Sequence, residues 1–145
     1  MGRTEQVAKL LGGEKVLRRT VRSPMEFVPL LRKGLPVASL EAVTRELELS
    51  LDAAAESLGL ARRTIARRRQ ENKALDSSES ERVLRLARTL AHAIDVLASH
   101  EKARRWMLEP NRSLGGVTPV SLLDTDIGAS AVDDVLTRLE YGVIG

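Results

Sequence analysis

The stretch Ser50–Gln70, which reads SLDAAAESLGLARRTIARRRQ, constrains the fold of this chain more than any other segment. Small and apolar residues recur in its first part at helical spacing, at Leu51, Ala54, Ala55 and Leu58. Gly59 then interrupts the pattern, and a glycine adopts without strain the positive φ that a tight turn between helices requires. In the second helical segment, Ile65 is the one large apolar residue. The arrangement predicts a helix-turn-helix, whose second helix enters the major groove of DNA.

The second of these helices is strongly basic. Residues 61–73 contain six basic side chains and one acidic side chain, a net charge of +5 in a chain whose total is only +3. Because so one-sided a run repels itself unless an anion is nearby, it favours a nucleic-acid partner over an ordinary helical hairpin with solvated arginines. Arg68 departs from the motif, since it stands where another apolar residue is usual.

The predicted DNA contacts all come from this helix. We expect Arg62, Arg63 and Arg67 to share the outward face and to reach base edges, because arginine pairs with guanine through two hydrogen bonds. Arg68 and Arg69 are expected to meet phosphate, together with Lys73. The alternative is that some of these arginines pair with acidic neighbours. The predicted DNA-binding set is Arg62, Arg63, Thr64, Arg67, Arg68, Arg69 and Gln70.

Composition favours an all-α protein. Only Phe27, Trp106 and Tyr141 are aromatic, so the core must consist of Leu, Val, Ile and Ala, which suits packed helices better than sheets. Hydrophobic residues make up 43% of the chain, which excludes a disordered protein. The absence of cysteine excludes disulfides and thiolate metal sites. Because no signal peptide or long apolar span is recognisable, we expect a cytoplasmic location and no membrane partner.

Capping residues and prolines predict the helices of the first half. A short helix is expected over Thr4–Leu11, and residues 1–22 as a whole are interpreted as a surface segment, with a DNA-contacting arm as the less favoured alternative. Ser23-Pro24 reads as an N-cap and first helical residue, and Pro29 is expected to end or restart the helix that follows. Ser39 is predicted to cap a helix that extends through Glu48.

The longest predicted helix spans Ser78–His100. Ser78 and Glu81 form a capping-box pattern at its start, and apolar residues repeat after them at spacings of three and four. A second helix is expected over Glu101–Leu108, in which Trp106 would be a core anchor.

A last helix is predicted to follow Thr125 as its N-cap. Its inward-facing residues are expected to be Ile127, Val132, Val135, Leu136 and Leu139. The block Val117–Gly145 carries five acidic residues and one basic residue, so a basic middle of the chain precedes an acidic end. Two surfaces of opposite charge suggest two different partners.

The last third of the chain carries a series of short motifs: Trp106-Met107, Pro110-Asn111, Leu114-Gly115-Gly116, Thr118-Pro119, Leu122-Leu123-Asp124-Thr125, Gly128 and Glu140-Tyr141-Gly142-Val143. They closely resemble the C-terminal toxin-binding domain of the Xre/MbcA/ParS-type antitoxins, with Met107 in place of the family's leucine. Upstream, Gly34-Leu35-Pro36, the Ala61–Arg69 helix and Leu75–Glu81 resemble the Xre-type DNA-binding half of the same family.

The resemblance implies an antitoxin of a type II toxin–antitoxin pair. The resemblance covers Gly34–Gly145 and implies an all-α chain. We expect an N-terminal segment and an Xre-like helix-turn-helix domain in residues 1–76, and a helical toxin-binding domain in residues 77–145. In this family the toxin is usually a RES-domain protein that consumes NAD+, and the antitoxin blocks its active-site entrance. The resemblance also implies a homodimer within a larger toxin–antitoxin complex, which represses its own operon by binding operator DNA. It implies no cofactor.

The toxin-binding residues are expected at the end of the chain. Apolar residues such as those of the tail Val143-Ile144-Gly145 are unexpected at a solvated terminus, and a tyrosine suits the centre of an interface. An equal alternative is that Tyr141 and Val143 close the protein's own core. The predicted set is Asn111, Leu114, Glu140, Tyr141, Gly142, Val143, Ile144 and Gly145.

No pattern in the sequence predicts an enzyme. His92 and His100 lie about two turns apart and lack an evident Glu or Cys partner, so no metal site is expected. The serines at 77, 78 and 80 fit helix capping, and no glycine-rich phosphate loop is present. Two other binding functions remain open: a stand-alone Xre-family transcriptional regulator with a helical dimerisation domain, and a protein–protein adaptor that never binds DNA.

Overall fold

The computed structural model describes residues 2–142, and within this range the regular structure is helical, without a strand. Short 3₁₀ turns occur at Pro24–Glu26, Arg112–Leu114 and Pro119–Leu122. The all-α prediction is therefore confirmed. In the described range the helices are α1 (Arg3–Leu10), α2 (Gly13–Leu17), α3 (Phe27–Lys33), α4 (Val37–Leu47), α5 (Leu51–Ser57), α6 (Arg62–Gln70), α7 (Ser77–Leu97), α8 (His100–Leu108) and α9 (Asp126–Glu140).

Helix α7 lies at the centre of the packing. It contacts α1, α3, α4, α8 and α9, so helices from both ends of the chain cover it. Its buried residues include Val83, Leu86, Leu90 and Ala93, and they belong to a hydrophobic core that also contains residues of α1, α4, α5, α6 and α9. A helix that is apolar around much of its circumference must be enclosed in this way.

The N-terminus of α7 differs from the prediction. The capping box is formed by Asp76 and Glu79, not by Ser78 and Glu81. The Asp76 carboxylate accepts from the Glu79 backbone N–H at 2.7 Å, and Glu79 Oε1 accepts from the Asp76 N–H at 2.8 Å. Ser80, predicted as a capping residue, is buried, and its hydroxyl oxygen accepts from the Leu35 N–H at 2.8 Å.

Of two predictions about the first half of the chain, the Ser39 cap is wrong and the helix restart near Pro29 is confirmed. Helix α4 begins at Val37 with Pro36 as its N-cap, and Ser39 is fully buried within the first turn instead of capping it. A 3₁₀ turn over Pro24–Glu26 precedes α3, which begins at Phe27, so the helix restarts just ahead of Pro29. Pro29 is the third residue of that helix, where a backbone N–H has no partner within the helix, so its absence removes no hydrogen bond.

The N-terminal segment is part of the core and not a surface segment as predicted. Helix α1 packs against α4 and α7, with Val7 and Leu11 buried. Arg3 also pairs with Asp95 of α7 at 2.5 Å. Because residues so distant in sequence meet here, the periodicity of the first twenty residues did not reveal this packing.

Helix α9 follows its predicted N-cap, since the Thr125 hydroxyl accepts from the Gly128 N–H at 3.0 Å. Val132 and Leu136 are buried as predicted. Ile127 is wrongly predicted, because it is 85% exposed. At about 100° per residue it lies nearly opposite Leu136 on the helix. Leu139, in the last turn, is also exposed.

Helix α8 begins at His100, with Ser99 as its N-cap, and ends at Leu108 as expected. Trp106 is partly buried and packs against the core, while the neighbouring Met107 is completely buried. Among residues 2–142, no helix combines the length and the apolar character needed to cross a bilayer.

The capping geometry makes a testable prediction. Asp76→Ala removes the acceptor for the Glu79 N–H and should lower the free energy of unfolding by about 1 kcal/mol. Ser78→Ala is the matched control, because Ser78 is exposed, and it should change stability by less than about 0.5 kcal/mol. Urea unfolding followed by far-UV circular dichroism measures both values. Equal losses would show that the box does not stabilise α7.

Candidate nucleic-acid interface and C-terminal surface

The predicted helix-turn-helix is formed by α5 and α6. Gly59 lies in the turn with φ +67°, the left-handed conformation that the sequence required of it. The Leu60 N–H donates to the Ala55 carbonyl at 2.8 Å and closes the end of α5. Ser50 caps the start of α5, where its hydroxyl accepts from the Ala53 N–H at 3.1 Å.

The two helices are held by few apolar anchors. Ala55 and Ile65 are both buried, as the motif requires, and α4 packs against both helices. Thr64 and Arg68 are partly buried, whereas Arg62, Arg63, Arg67 and Arg69 are exposed, so the helix presents most of its arginines outwards.

The outward face of α6 is only partly neutralised. Arg62 lies 3.8 Å from Asp52, and Arg69 lies 3.3 Å from Glu41 of α4. Arg63 and Arg67 are exposed and make no ion pair with the residues that the structure describes. Gln70 is exposed as well, and Thr64 is partly buried. Arg63 and Arg67 are therefore the two cations of this face most available to an external anion.

Arg68 has a different environment. Its Nε lies 2.8 Å from Glu79 Oε1, and its Nη2 lies 3.7 Å from Asp76 Oδ2. The Nε–H is not directed along the shorter contact, so the attraction is between charges and not a hydrogen bond. Arg68 is partly buried and links α6 to the capping box of α7. It occupies the position where the motif usually has an apolar residue, and it fulfils the same positioning role by charge.

Two arginines of α7 connect the helix-turn-helix to the C-terminal part of the chain. Arg82 Nη1 donates to the Gly59 carbonyl at 2.9 Å, and Arg85 Nη1 donates to the Leu123 carbonyl at 2.9 Å. Arg85 also pairs with Asp126 at the start of α9. Sequence reasoning did not assign these roles. The only signal was the spacing of Arg82 and Arg85, which places them about one turn apart on α7.

At the other end of the chain, a closed loop lies beside α9. The Asn111 side chain accepts from the Ser113 N–H at 2.9 Å, and the Asn111 N–H donates to the Val117 carbonyl at 2.9 Å. Leu114 is partly buried against the core. The Arg112–Leu114 turn contacts α9, so Asn111 and Leu114 belong to the same part of the molecule as that helix.

The last described residues are exposed. Tyr141 follows α9 and is 77% exposed, and Glu140 and Gly142 are also at the surface. The alternative in which Tyr141 closes the protein's own core is therefore wrong. Val143, Ile144 and Gly145 lie outside the described residues.

Both histidines have acidic partners, contrary to the prediction. His92 Nδ1 lies 2.6 Å from Asp133 Oδ1, and its Nε2 lies 3.7 Å from Glu140 Oε2. His100 Nδ1 lies 3.0 Å from Glu46 Oε1. The sequence separation of these pairs concealed them. Within residues 2–142, no group of three or more potential metal ligands occurs.

The geometry defines a class of protein: a helix-turn-helix domain joined through a central helix to a second helical domain. Residues 26–88 match the antitoxin Xre-like helix-turn-helix domain, and residues 92–142 match the antitoxin Xre/MbcA/ParS C-terminal toxin-binding domain. The chain belongs to the Xre/MbcA/ParS antitoxin family. The two matching domains are described as helix-turn-helix and toxin-binding types, and neither description names a catalytic activity.

Relatives over most of the chain support this assignment. An Antitoxin Xre of Photorhabdus laumondii is 33% identical, covering 88% of this chain and 90% of the relative. An Antitoxin Xre of Yersinia enterocolitica is 32% identical, covering 81% of this chain and 80% of the relative. A Sphingobium protein named Prs ADP-ribosylating antitoxin is 27% identical, covering 83% of this chain and 81% of the relative.

The environment of Arg68 predicts a stability effect that separates it from its neighbour. Arg68→Ala leaves Glu79 without its cation and should lower the free energy of unfolding by about 1 kcal/mol. Arg67→Ala is the control, because Arg67 is exposed and makes no ion pair among the described residues, and it should cost less than about 0.5 kcal/mol. Chemical denaturation gives both values, and indistinguishable midpoints would contradict the positioning role of Arg68.

Proposed function

We propose that this antitoxin neutralises a toxin by binding it with the surface around the end of α9, and that α6 binds operator DNA. The observation that carries the proposal is the exposure of Tyr141 within a region that matches the family's toxin-binding domain. A tyrosine of this exposure offers a large contact area and a polar group, which are common at interface hot spots.

The proposed partner is a RES-type toxin that consumes NAD+, whose active-site entrance the C-terminal residues cover. The name of the Sphingobium relative refers to ADP-ribosylation, a reaction that uses NAD+ as its donor. That name supports toxin chemistry of this kind for the present pair. The proposed contacts are Asn111, Leu114, Glu140, Tyr141 and Gly142, followed by Val143, Ile144 and Gly145.

Substitution of Tyr141 tests this surface. Tyr141→Ala should weaken binding of the toxin encoded beside the antitoxin gene by about thirtyfold, the loss typical of an interface hot spot. Deletion of Glu140–Gly145 should abolish growth rescue on co-expression while leaving DNA binding measurable. The point substitution is the cleaner variant, because the deletion also removes Glu140, which lies near His92.

The matched control is Met25→Ala. Met25 is another strongly exposed apolar side chain, 74% exposed, but it lies outside the region that matches the toxin-binding domain. Its substitution should leave toxin affinity unchanged in the same pull-down and titration. Full growth rescue by both the Tyr141→Ala protein and the deletion would overturn the proposed surface.

On the DNA side, we assign base recognition to Arg63 and Arg67 and phosphate contact to Arg62 and Arg69. Arg62 and Arg69 already have acidic partners, but exposed ion pairs of this kind contribute little and exchange readily for a phosphate. Thr64 and Gln70 remain predicted contacts, whereas Arg68 is assigned to positioning α6. The antitoxin would be a homodimer in the cytoplasm. The complex of this homodimer with the toxin would repress its own operon.

The DNA assignment is tested on the chain's own upstream sequence. Arg63→Ala or Arg67→Ala should weaken operator binding by about 1–3 kcal/mol and relax base preference, because a bidentate arginine contact discriminates among bases. Arg88→Ala, an exposed arginine of α7 without an ion pair in the described range, is the control. Fluorescence anisotropy with operator and scrambled duplexes measures the effect.

Three outcomes separate the candidate functions. An antitoxin binds both the operator and the neighbouring gene's product. A stand-alone regulator, the alternative function, would bind the operator but have no toxin beside its gene. Failure of the unaltered protein to shift its upstream DNA even at low salt would favour an adaptor that does not bind DNA.

A further inference from the structure

The end of α3 is fixed to the segment that follows α6. The Leu75 N–H donates to the Leu35 carbonyl at 2.8 Å. One residue earlier in the first segment, a Cβ on Gly34 would lie 3.2 Å from the Ala74 Cβ and 2.0 Å from the Leu75 carbonyl oxygen. Gly34 also has φ +100°, so the approach depends on the missing side chain. The segment that follows α3 therefore lies directly against the segment that follows α6.

Two lysines flank this contact in the sequence. Lys33 precedes Gly34, and Lys73 precedes Ala74; both lysines are exposed. Arg32, also exposed, precedes Lys33 on α3. Arg32 and Lys33 make no ion pair with residues 2–142, and Lys73 pairs with Glu71 at 3.2 Å. We call the group Arg32, Lys33 and Lys73 the α3 ledge.

The charges near the ledge do not neutralise it. Glu71 offsets one of its three cations, and the nearby acids Asp76 and Glu79 are engaged by Arg68. Like charges on one surface repel each other unless an anion lies against them. The ledge lies beyond the C-terminal end of α6, since Lys73 follows that end by three residues.

We propose that the α3 ledge contacts the sugar–phosphate backbone of the DNA that α6 binds, with Lys33 as its principal contact. The inference rests on the proposed DNA binding by α6. Basic residues beside a recognition helix position the protein on the duplex through phosphates and carry no base information themselves. The ledge therefore adds affinity for any sequence, whereas Arg63 and Arg67 supply the preference for the operator.

The test is the salt dependence of DNA binding. For the full-length protein, the slope of log affinity against log salt concentration should fall by about 0.9 in Lys33→Ala, the value for one lost phosphate contact. Affinity for operator and scrambled duplexes should fall by the same factor. Lys33→Arg should restore the slope, and Lys33→Glu should weaken binding further than Lys33→Ala.

Lys102→Ala is the matched control, because Lys102 is an exposed lysine on α8 without an ion pair in the described range. Circular dichroism confirms that each variant is folded. If the unaltered protein binds its operator and Lys33→Ala has the same slope, the ledge is not a phosphate contact, although the proposed function stands. If the unaltered protein binds no DNA, the proposed DNA binding fails together with this inference.

Discussion

The enclosure of α7 is the constraint on which the rest of the structure depends. Its buried residues are enclosed by the helices packed against it, α1, α3, α4, α8 and α9. Burial of a leucine side chain contributes about 1.5–3 kcal/mol, so the apolar residues of one long helix supply much of the driving force for the fold. Both domains of the antitoxin therefore share a scaffold, and the predicted boundary between residues 76 and 77, at the start of that scaffold, remains a prediction.

The charge distribution on α6 follows from the same arrangement. A helix with five arginines would be strongly self-repelling, but acids from α4, α5 and the α7 capping box lie beside three of them. The contact from the capping box is partly buried and orients α6, while the other two are exposed and weak. The fold thus keeps the helix in place without neutralising Arg63 and Arg67, which remain available to a polyanion.

The parts of the fold that sequence reasoning could predict are those determined locally. Gly59 and Ile65 identified the helix-turn-helix because the turn and the buried anchor lie within one short segment. The long helix was found from its periodicity, but its cap was misplaced, since Asp76/Glu79 and Ser78/Glu81 both have the capping-box spacing. Only the backbone conformation at Asp76 distinguishes the two.

The parts that could not be predicted depend on contacts between distant segments. The carboxylate partners of Arg68 and the carbonyl partners of Arg82 and Arg85 are invisible in a pattern of charges, because the same arginines would look solvated on an isolated helix. Arg82 and Arg85 are an example of contacts that the charge pattern does not reveal. They lie one turn apart on α7. Arg82 binds the turn of the helix-turn-helix and Arg85 binds the start of α9, so a single helix sets the separation between those two segments. If the start of α9 moved while the turn of the helix-turn-helix stayed in place, the Arg85 contacts with Leu123 and Asp126 would have to break.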